Sequence, residues 1–414
     1  MQDTTALRRP EGSSNSSTQF VARQRRFPTV AYLREKARRT LPKFAFEYCD
    51  GGAGADGGIA RNWDALNAVE LVPRYGVTTG LPPVDIELFG HRYAAPFGVA
   101  PMGGPSLVFP GADRYLAAAA QRANVPYTLG LVGGMTVEQA AEIAPDVLWF
   151  QLYRCSRNEH AIGFDLVKRA DAAGVKVLVL TLDVPVRTTR SREVAAGITT
   201  PFKPDLRMLA GILTSPGYLR SLMQNGQPRF GNLKPYTKND ADVNEVAAFV
   251  RREMGGAFTW DEVARYRERW KRPLVVKGIM HPADAEKAVA LGVDGIVVSN
   301  HGGRQVEGLP AAIDVLPAIA GAVRGRAAVM MDSGIRSGLD VARAVALGAD
   351  LAFAGKAFLW SLGALGAEGP GHVIDLLMDE MKSAFGQLGA HKPEDARSVV
   401  VRHPGAYDFS RNSL

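Results

Sequence analysis

Near-continuous apolar runs, Ala-rich amphipathic segments between them, and polar or cationic residues at the ends of the runs predict an α/β chain folded as a (β/α)8 TIM barrel. The runs are 97–100, 127–129 (the weakest), 147–150, 177–180, 273–276, 295–298, 327–331 and 351–353. A strand covered on both faces reads apolar throughout instead of alternating, and these do. Segments such as 283–291 and 338–347 supply the amphipathic helices between them. An open doubly wound sheet is the competing architecture, but no G-x-G-x-x-G follows the first strand.

Two regions break the repeat. Residues 29–95 precede the first strand as an N-terminal helical extension that contains Leu41-Pro42-Lys43-Phe44-Ala45-Phe46-Glu47-Tyr48. Residues 193–258 form a long insertion after strand four. A structureless loop of that length is unusual in a compact domain, so helices or a lid are expected there. Its apolar-basic part, 206–223, reads as a helix packed on the barrel, with peripheral membrane or partner contact as the alternative. The expected organisation is a disordered or loosely held tail over 1–28, a barrel domain over 29–390, and a C-terminal tail over 391–414.

Of the 414 residues, 46% are hydrophobic and 22% charged, an ordinary globular balance. The net charge of +7 favours anionic ligands and surfaces. Zinc-finger spacing, RNA-binding aromatic motifs and long Lys/Arg blocks are missing from the sequence, so no nucleic-acid partner is expected. Two cysteines, Cys49 and Cys155, without a CxxC argue against a disulfide scaffold or structural zinc, and no metal site is expected. Residues 1–28 lack the apolar core of a signal peptide, and no stretch of 18 apolar residues occurs. A cytoplasmic location is expected, with membrane association as the alternative.

The chemistry concentrates in Ser299-Asn300-His301-Gly302-Gly303-Arg304-Gln305, directly after an apolar strand. A His takes a proton near neutral pH, paired Gly let a ligand approach the backbone, and an Arg grips a carboxylate with two parallel hydrogen bonds. Taken alone, the run reads equally well as a solvated surface loop. Other strand ends tip the balance: Gln151 and Tyr153 at the third, Thr181 and Asp183 at the fourth, Lys277 at the fifth, Asp332-Ser333-Gly334 at the seventh and Gly355-Lys356 at the eighth. Singly these have structural explanations; Asp183 could cap a helix. Jointly they form a ring at the end of a barrel where active sites lie. Small residues and cations after strands seven and eight, including Arg336, mark the usual phosphate pocket of such barrels.

With those residues in view, the chain resembles the FMN-dependent 2-hydroxy acid oxidising family, which includes glycolate oxidase, lactate oxidase, the flavin domain of flavocytochrome lactate dehydrogenase, and mandelate dehydrogenase. The resemblance covers residues 29–390 and rests on the Ser299–Gln305 run, Leu41-Pro42-Lys43 through Tyr48, Phe150-Gln151-Leu152-Tyr153, Thr181-x-Asp183, Val276-Lys277-Gly278 and Asp332-x-Gly334-x-Arg336. It implies FMN as cofactor and oxidation of an (S)-2-hydroxy acid. It makes His301 the base, Asp183 its orienting carboxylate, and Tyr153 a hydrogen-bond donor to the substrate oxygen. Arg304, Arg190 and Tyr48 would hold the substrate carboxylate. Lys277, Gln151, Thr181, Ser299, Pro101, Met102 and Gly103 would meet the flavin, and Asp332, Gly334, Arg336, Gly355 and Lys356 its ribityl chain and phosphate. The electron acceptor implied is O2 or a quinone or cytochrome carrier, and the family's habit is a homotetramer.

Departures from the family pattern refine this. Gly355-Lys356 stands for the usual Gly-Arg, Gly130 replaces a flavin-contacting Ser, and Val132 replaces a bulky Trp. Arg187 falls where several relatives have Leu and is expected to meet a second anionic or polar group, a mobile loop Arg being the bland reading. Gly103 and Asp332-Ser333-Gly334 follow the mandelate dehydrogenase version, which favours a dehydrogenase over an oxidase. The alternatives are an FMN barrel isomerase of the type 2 isopentenyl diphosphate kind, which needs no base with paired arginines, and a non-catalytic flavin-binding scaffold.

Overall fold

The computed structural model describes residues 14–77, 80–186, 188–198, 203–237 and 243–409. Eight strands close into a parallel barrel: β1 (Phe97–Val99), β2 (Tyr127–Gly130), β3 (Leu148–Leu152), β4 (Val177–Thr181), β5 (Leu274–Ile279), β6 (Gly295–Val298), β7 (Ala328–Met331) and β8 (Leu351–Ala354). They pair in chain order, and β8 hydrogen-bonds back to β1 through Ala352 with Phe97 and Ala354 with Val99. Every residue of β3 and β4 is buried, as expected of strands with helices outside and side chains filling the interior.

The interior is packed. Trp149 on β3 and Phe353 on β8 meet at 5.5 Å between ring centroids, although their strands are not neighbours, so the contact crosses the barrel. A hairpin of Ile86–Leu88 and His91–Tyr93 closes the amino end. The Tyr93 hydroxyl accepts from Trp149 Nε1 at 3.0 Å, and a Cβ on Gly295 would lie 2.8 Å from the Phe89 ring.

Helix Lys43–Asp50 of the extension lies at the opposite, carboxyl end, where the Tyr48 hydroxyl donates to the carbonyl of Gly103 just after β1 (2.6 Å). Helix Val30–Thr40 backs it by packing on Lys356–Leu365, with Gly363 pressed against Leu41. Within the segment expected as a tail, Ser14–Arg26 is a helix whose Phe20 is buried and whose Arg23 pairs with Glu368. Strand Val400–Arg402 pairs with Glu70–Val72.

The insertion folds into short helices: Ser191–Ala195, Leu206–Leu213, Pro216–Asn225, the 3-10 turn Gly231–Tyr236 and Val243–Glu253. Ser221 Oγ donates to the Pro110 carbonyl and Asn232 Oδ1 accepts from the Val137 N–H, which pins the insertion to the barrel. Cys49 and Cys155 are both buried free thiols. Among the described residues, no helix is long and apolar enough to cross a membrane.

One irregularity shapes the carboxyl end. The pairing of β5 with β6 slips between Lys277 and Ile279, and Gly278 there takes φ +101°. A Cβ at Gly278 would lie 2.5 Å from the Cβ of Asp183. Gly278→Ala is therefore expected to cost about 1–3 kcal/mol through overpacking, read by denaturant unfolding. A variant as stable as the parent would show that the bulge has slack.

Candidate active site

His301 follows β6 in the turn His301–Gly303 with φ 59°, a left-handed conformation that costs a non-Gly residue roughly 1–2 kcal/mol. The turn is held from several sides. The His301 N–H donates to Ser299 Oγ (3.0 Å), Gly302 N–H to Ser333 Oγ (3.0 Å) and Gly303 N–H to Asn300 Oδ1 (3.1 Å). The Asn300 amide in turn pairs in both directions with that of Asn62. Such over-determination is what keeps a strained residue in place.

His301 Nδ1 lies 3.1 Å from both carboxylate oxygens of Asp183. An ionised carboxylate only accepts, so the shared proton sits on Nδ1 and the neutral ring keeps a lone pair on Nε2. Burial pushes the Asp183 carboxyl up, but His301 and Lys277 outweigh it and hold its pKa below the ordinary aspartate value. Lys277 is 4% exposed. Its ammonium lies 3.0 Å from Asp332, 3.9 Å from Asp183, and donates to Ser299 Oγ at 2.7 Å. Burial alone would pull Lys277 down; the two aspartates outweigh it and raise its pKa.

A second group lies at the junction of the insertion and the extension. Arg304 donates through Nη1 to the carbonyls of Tyr48 (2.9 Å) and Gly51 (2.6 Å), and its guanidinium lies over the Tyr48 ring at 5.3 Å. Arg190 donates through Nε to the Arg304 carbonyl at 3.2 Å. Both arginines reach Glu193 Oε1, at 2.8 Å from Arg304 and 3.1 Å from Arg190. Burial, then repulsion from Arg190, lowers the Arg304 pKa. Burial, then Asp183, pushes the Tyr153 hydroxyl up to about 12.

A third group continues the same cavity. Gln151 Nε2 donates to Thr181 Oγ1 (2.8 Å), and both are buried. Arg336 lies between Trp63 (4.6 Å) and Trp360 (5.3 Å). Lys356 begins helix Lys356–Leu365 after Gly355, and its ammonium donates to the carbonyls of Cys49, Asp50 and Gly51 at 2.7–3.0 Å. Burial, with Arg304 adding repulsion, pulls the Lys356 pKa down to about 7.

The cavity measures about 1970 Å³, above the roughly 300–1,000 Å³ of ordinary ligand pockets. It is lined by Tyr48, Pro101, Met102, Gly103, Gln151, Tyr153, Thr181, Arg190, Lys277, His301, Arg304, Asp332, Gly334, Arg336, Gly355 and Lys356. Two of the residues singled out in the sequence stand behind its wall. Asp183 backs His301, and Ser299 spends its hydroxyl on Lys277 and the His301 backbone. Asp332 is engaged by Lys277 and by the Ser333 hydroxyl. Arg187 lies outside the described residues. Glu193 was missed in the sequence; the spacing Arg190-x-x-Glu193 on a helix start was the available signal for it.

A model of FMN-dependent dehydrogenases matches residues 37–403. The chain belongs to the FMN-dependent dehydrogenase family. An L-lactate dehydrogenase of Stenotrophomonas maltophilia (strain R551-3) is 37% identical over 373 residues, 90% of this chain and 98% of its own length. One from Pseudomonas aeruginosa (strain LESB58) is 36% identical with the same coverage. Among solved structures, (S)-mandelate dehydrogenase, a monotopic membrane protein, superposes with a TM-score of 0.85 at 29% identity, over 91% of this chain and 99% of that one. A mandelate oxidase with (S)-4-hydroxymandelic acid gives 0.79 at 34% identity with the same coverage.

The family's cofactor is FMN, and the residues present fit it. The helix start at Gly355-Lys356, with Arg336 beside it, concentrates positive charge that suits a phosphate. The cleft beside β2 is kept thin, since a Cβ on Gly130 would lie 2.7 Å from the Met102 carbonyl.

Lys356 gives a pH signature. Its folded pKa of about 7 lies below the ordinary 10.5, so between those values the unfolded chain binds more protons and stability rises with pH. The melting temperature of flavin-free protein is expected to rise from pH 7 toward pH 9, and Lys356→Met to flatten that rise. An unchanged slope in the variant would place the titration elsewhere.

Proposed function

We propose that this chain oxidises (S)-2-hydroxy acids to 2-oxo acids with His301 as the base, and passes the electrons to a carrier in preference to O2. The observation that carries the reading is a single cavity in which an imidazole fixed by Asp183 shares one wall with paired arginines. Base and carboxylate clamp then face one small acid.

Arg190 and Arg304 bind the substrate carboxylate, and Tyr48, under the Arg304 guanidinium, holds its edge. Tyr153 stays protonated and donates to the substrate oxygen. Bound FMN supplies the two-electron acceptor that takes the electrons leaving Cα. His301 Nε2 takes the proton, from the hydroxyl or from Cα, and Asp183 stabilises the imidazolium that results. Lys277 keeps a buried positive charge for the flavin ring, while Gln151 and Thr181 offer hydrogen bonds to its pyrimidine edge. Met102, Gly103 and the loops at Asp332–Arg336 and Gly355-Lys356 take the rest of the cofactor. Gly103 and Asp332-Ser333-Gly334, together with the named dehydrogenase relatives, favour the dehydrogenase reading. Val132 leaves room for a side chain larger than that of glycolate.

Anaerobic addition of one enantiomer of lactate or mandelate is expected to bleach the flavin band. Readmitted air should restore it slowly and a quinone quickly. His301→Gln should retain FMN and lose about 10²–10⁴-fold in bleaching rate, the usual worth of a general base. Full activity in that variant would move the base to another residue.

The acceptor reading extends to the insertion. Leu206, Leu213 and Met223 are 83%, 70% and 79% exposed, beside exposed Arg207, Arg220 and Arg229. Apolar side chains with surrounding cations suit an anionic lipid surface, and the (S)-mandelate dehydrogenase neighbour is a monotopic membrane protein. The protein is expected to float with vesicles containing phosphatidylglycerol. A double change of Leu206→Glu and Leu213→Glu should release it while leaving lactate or mandelate bleaching intact. Equal flotation of both proteins would leave these helices without a membrane role.

A further inference from the structure

Glu193 brings a negative charge to a place built to bind anions. It sits on the short helix Ser191–Ala195 at the start of the insertion, with its side chain 13% exposed. One oxygen, Oε1, accepts from both guanidiniums of the clamp, at 2.8 Å from Arg304 and 3.1 Å from Arg190. The helix is held there by the next residue back. Arg192 pairs with Glu47, Asp50 and Asp56 of the extension at 2.5, 2.9 and 2.8 Å. The helix that carries Glu193 is therefore held from outside the clamp, while its carboxylate is engaged by the two arginines.

The charge count has a consequence for selectivity. Two partly buried guanidiniums side by side, 21% and 16% exposed, would present two positive charges to the substrate pocket and repel each other. Glu193 cancels one. Lys356 faces the phosphate on the reading above, Asp332 compensates Lys277, and Asp183 beside the neutral His301 ring adds a negative charge behind the base. What remains for the substrate is about one positive charge, which one carboxylate neutralises. A second carboxylate brought against the clamp would meet Glu193, and like-charge juxtaposition in a desolvated site costs specificity strongly.

We propose that Glu193 sets the charge selectivity of the clamp, fitting it to 2-hydroxy acids with a single carboxylate and disfavouring 2-hydroxy dicarboxylates such as malate. The inference rests on the reading of Arg190 and Arg304 as the carboxylate clamp. Glu193 acts through the arginines as a positioning and charge-setting residue and takes no part in the proton or electron transfer.

The test uses the oxidised FMN-loaded enzyme, titrated with non-oxidisable anions and followed by the shift of the flavin absorbance. Propionate serves as the monoanion and malonate as the dianion. Glu193→Gln is expected to tighten malonate relative to propionate on the order of tenfold, and to raise kcat/KM for malate relative to lactate. Glu193→Asp, which keeps the charge, should restore the parent's ratio. An unchanged ratio in Glu193→Gln overturns the proposal. So does a Gln variant that no longer holds flavin while Glu193→Asp does, because the carboxylate's work is then structural. Arg304→Met separates the two readings: if it leaves both anions bound as before, the clamp itself is wrong, whereas loss of anion binding with an unchanged Glu193→Gln ratio removes only the present proposal.

Discussion

Two carboxylates, Asp183 and Asp332, share one buried ammonium, Lys277, and the imidazole of His301 completes the row. None of these charges could stand alone. A buried lysine without partners gives up its proton, and a buried aspartate without partners takes one. The four come from the ends of β4, β5, β6 and β7, four successive strands of a closed barrel. Barrel closure fixes their spacing, and the glycine bulge at Gly278 lets the Asp183 side chain settle against β5. Ser299 links the row to the backbone by accepting from both Lys277 Nζ and the His301 N–H. The left-handed turn at His301 is thus tied to the same electrostatic unit that orients its ring.

The clamp is assembled on different terms. Its arginines stand on the loops after β4 and β6: Arg304 is fixed by the carbonyls of Tyr48 and Gly51 and by Glu193, and Arg190 by the Arg304 carbonyl and by Glu193. The extension supplies the carbonyl oxygens that both Arg304 and Lys356 use. The same short stretch, Tyr48 to Gly51, therefore touches the end of the cavity assigned to the substrate carboxylate and the end assigned to the phosphate.

The barrel was legible in the sequence because its strands are buried on both faces and read as unbroken apolar runs. The strand-end residues were legible because reactive side chains at the ends of such runs have few structural reasons to be there. What could not be read were partnerships across long separations. Glu193 meets Arg190 three residues away but Arg304 at 111. The Asn62–Asn300 amide pair joins the extension to the His301 turn across 238 residues. The aromatic support of Arg336 comes from Trp63 and Trp360, which no local pattern connects. Helices of the insertion were expected in kind, but their bounds follow from how they cover the barrel mouth.

The two cysteines carry a consequence for redox chemistry. Burial pushes both thiols up to about 12, even though Lys356 and Arg304 stand close enough to Cys49 to favour its thiolate. The thiolate is the form that oxidants and disulfides attack. In this fold burial favours the protonated form of both sulfurs at neutral pH. Burial thus disfavours sulfenic acid formation and mixed disulfides at either position while the chain stays folded.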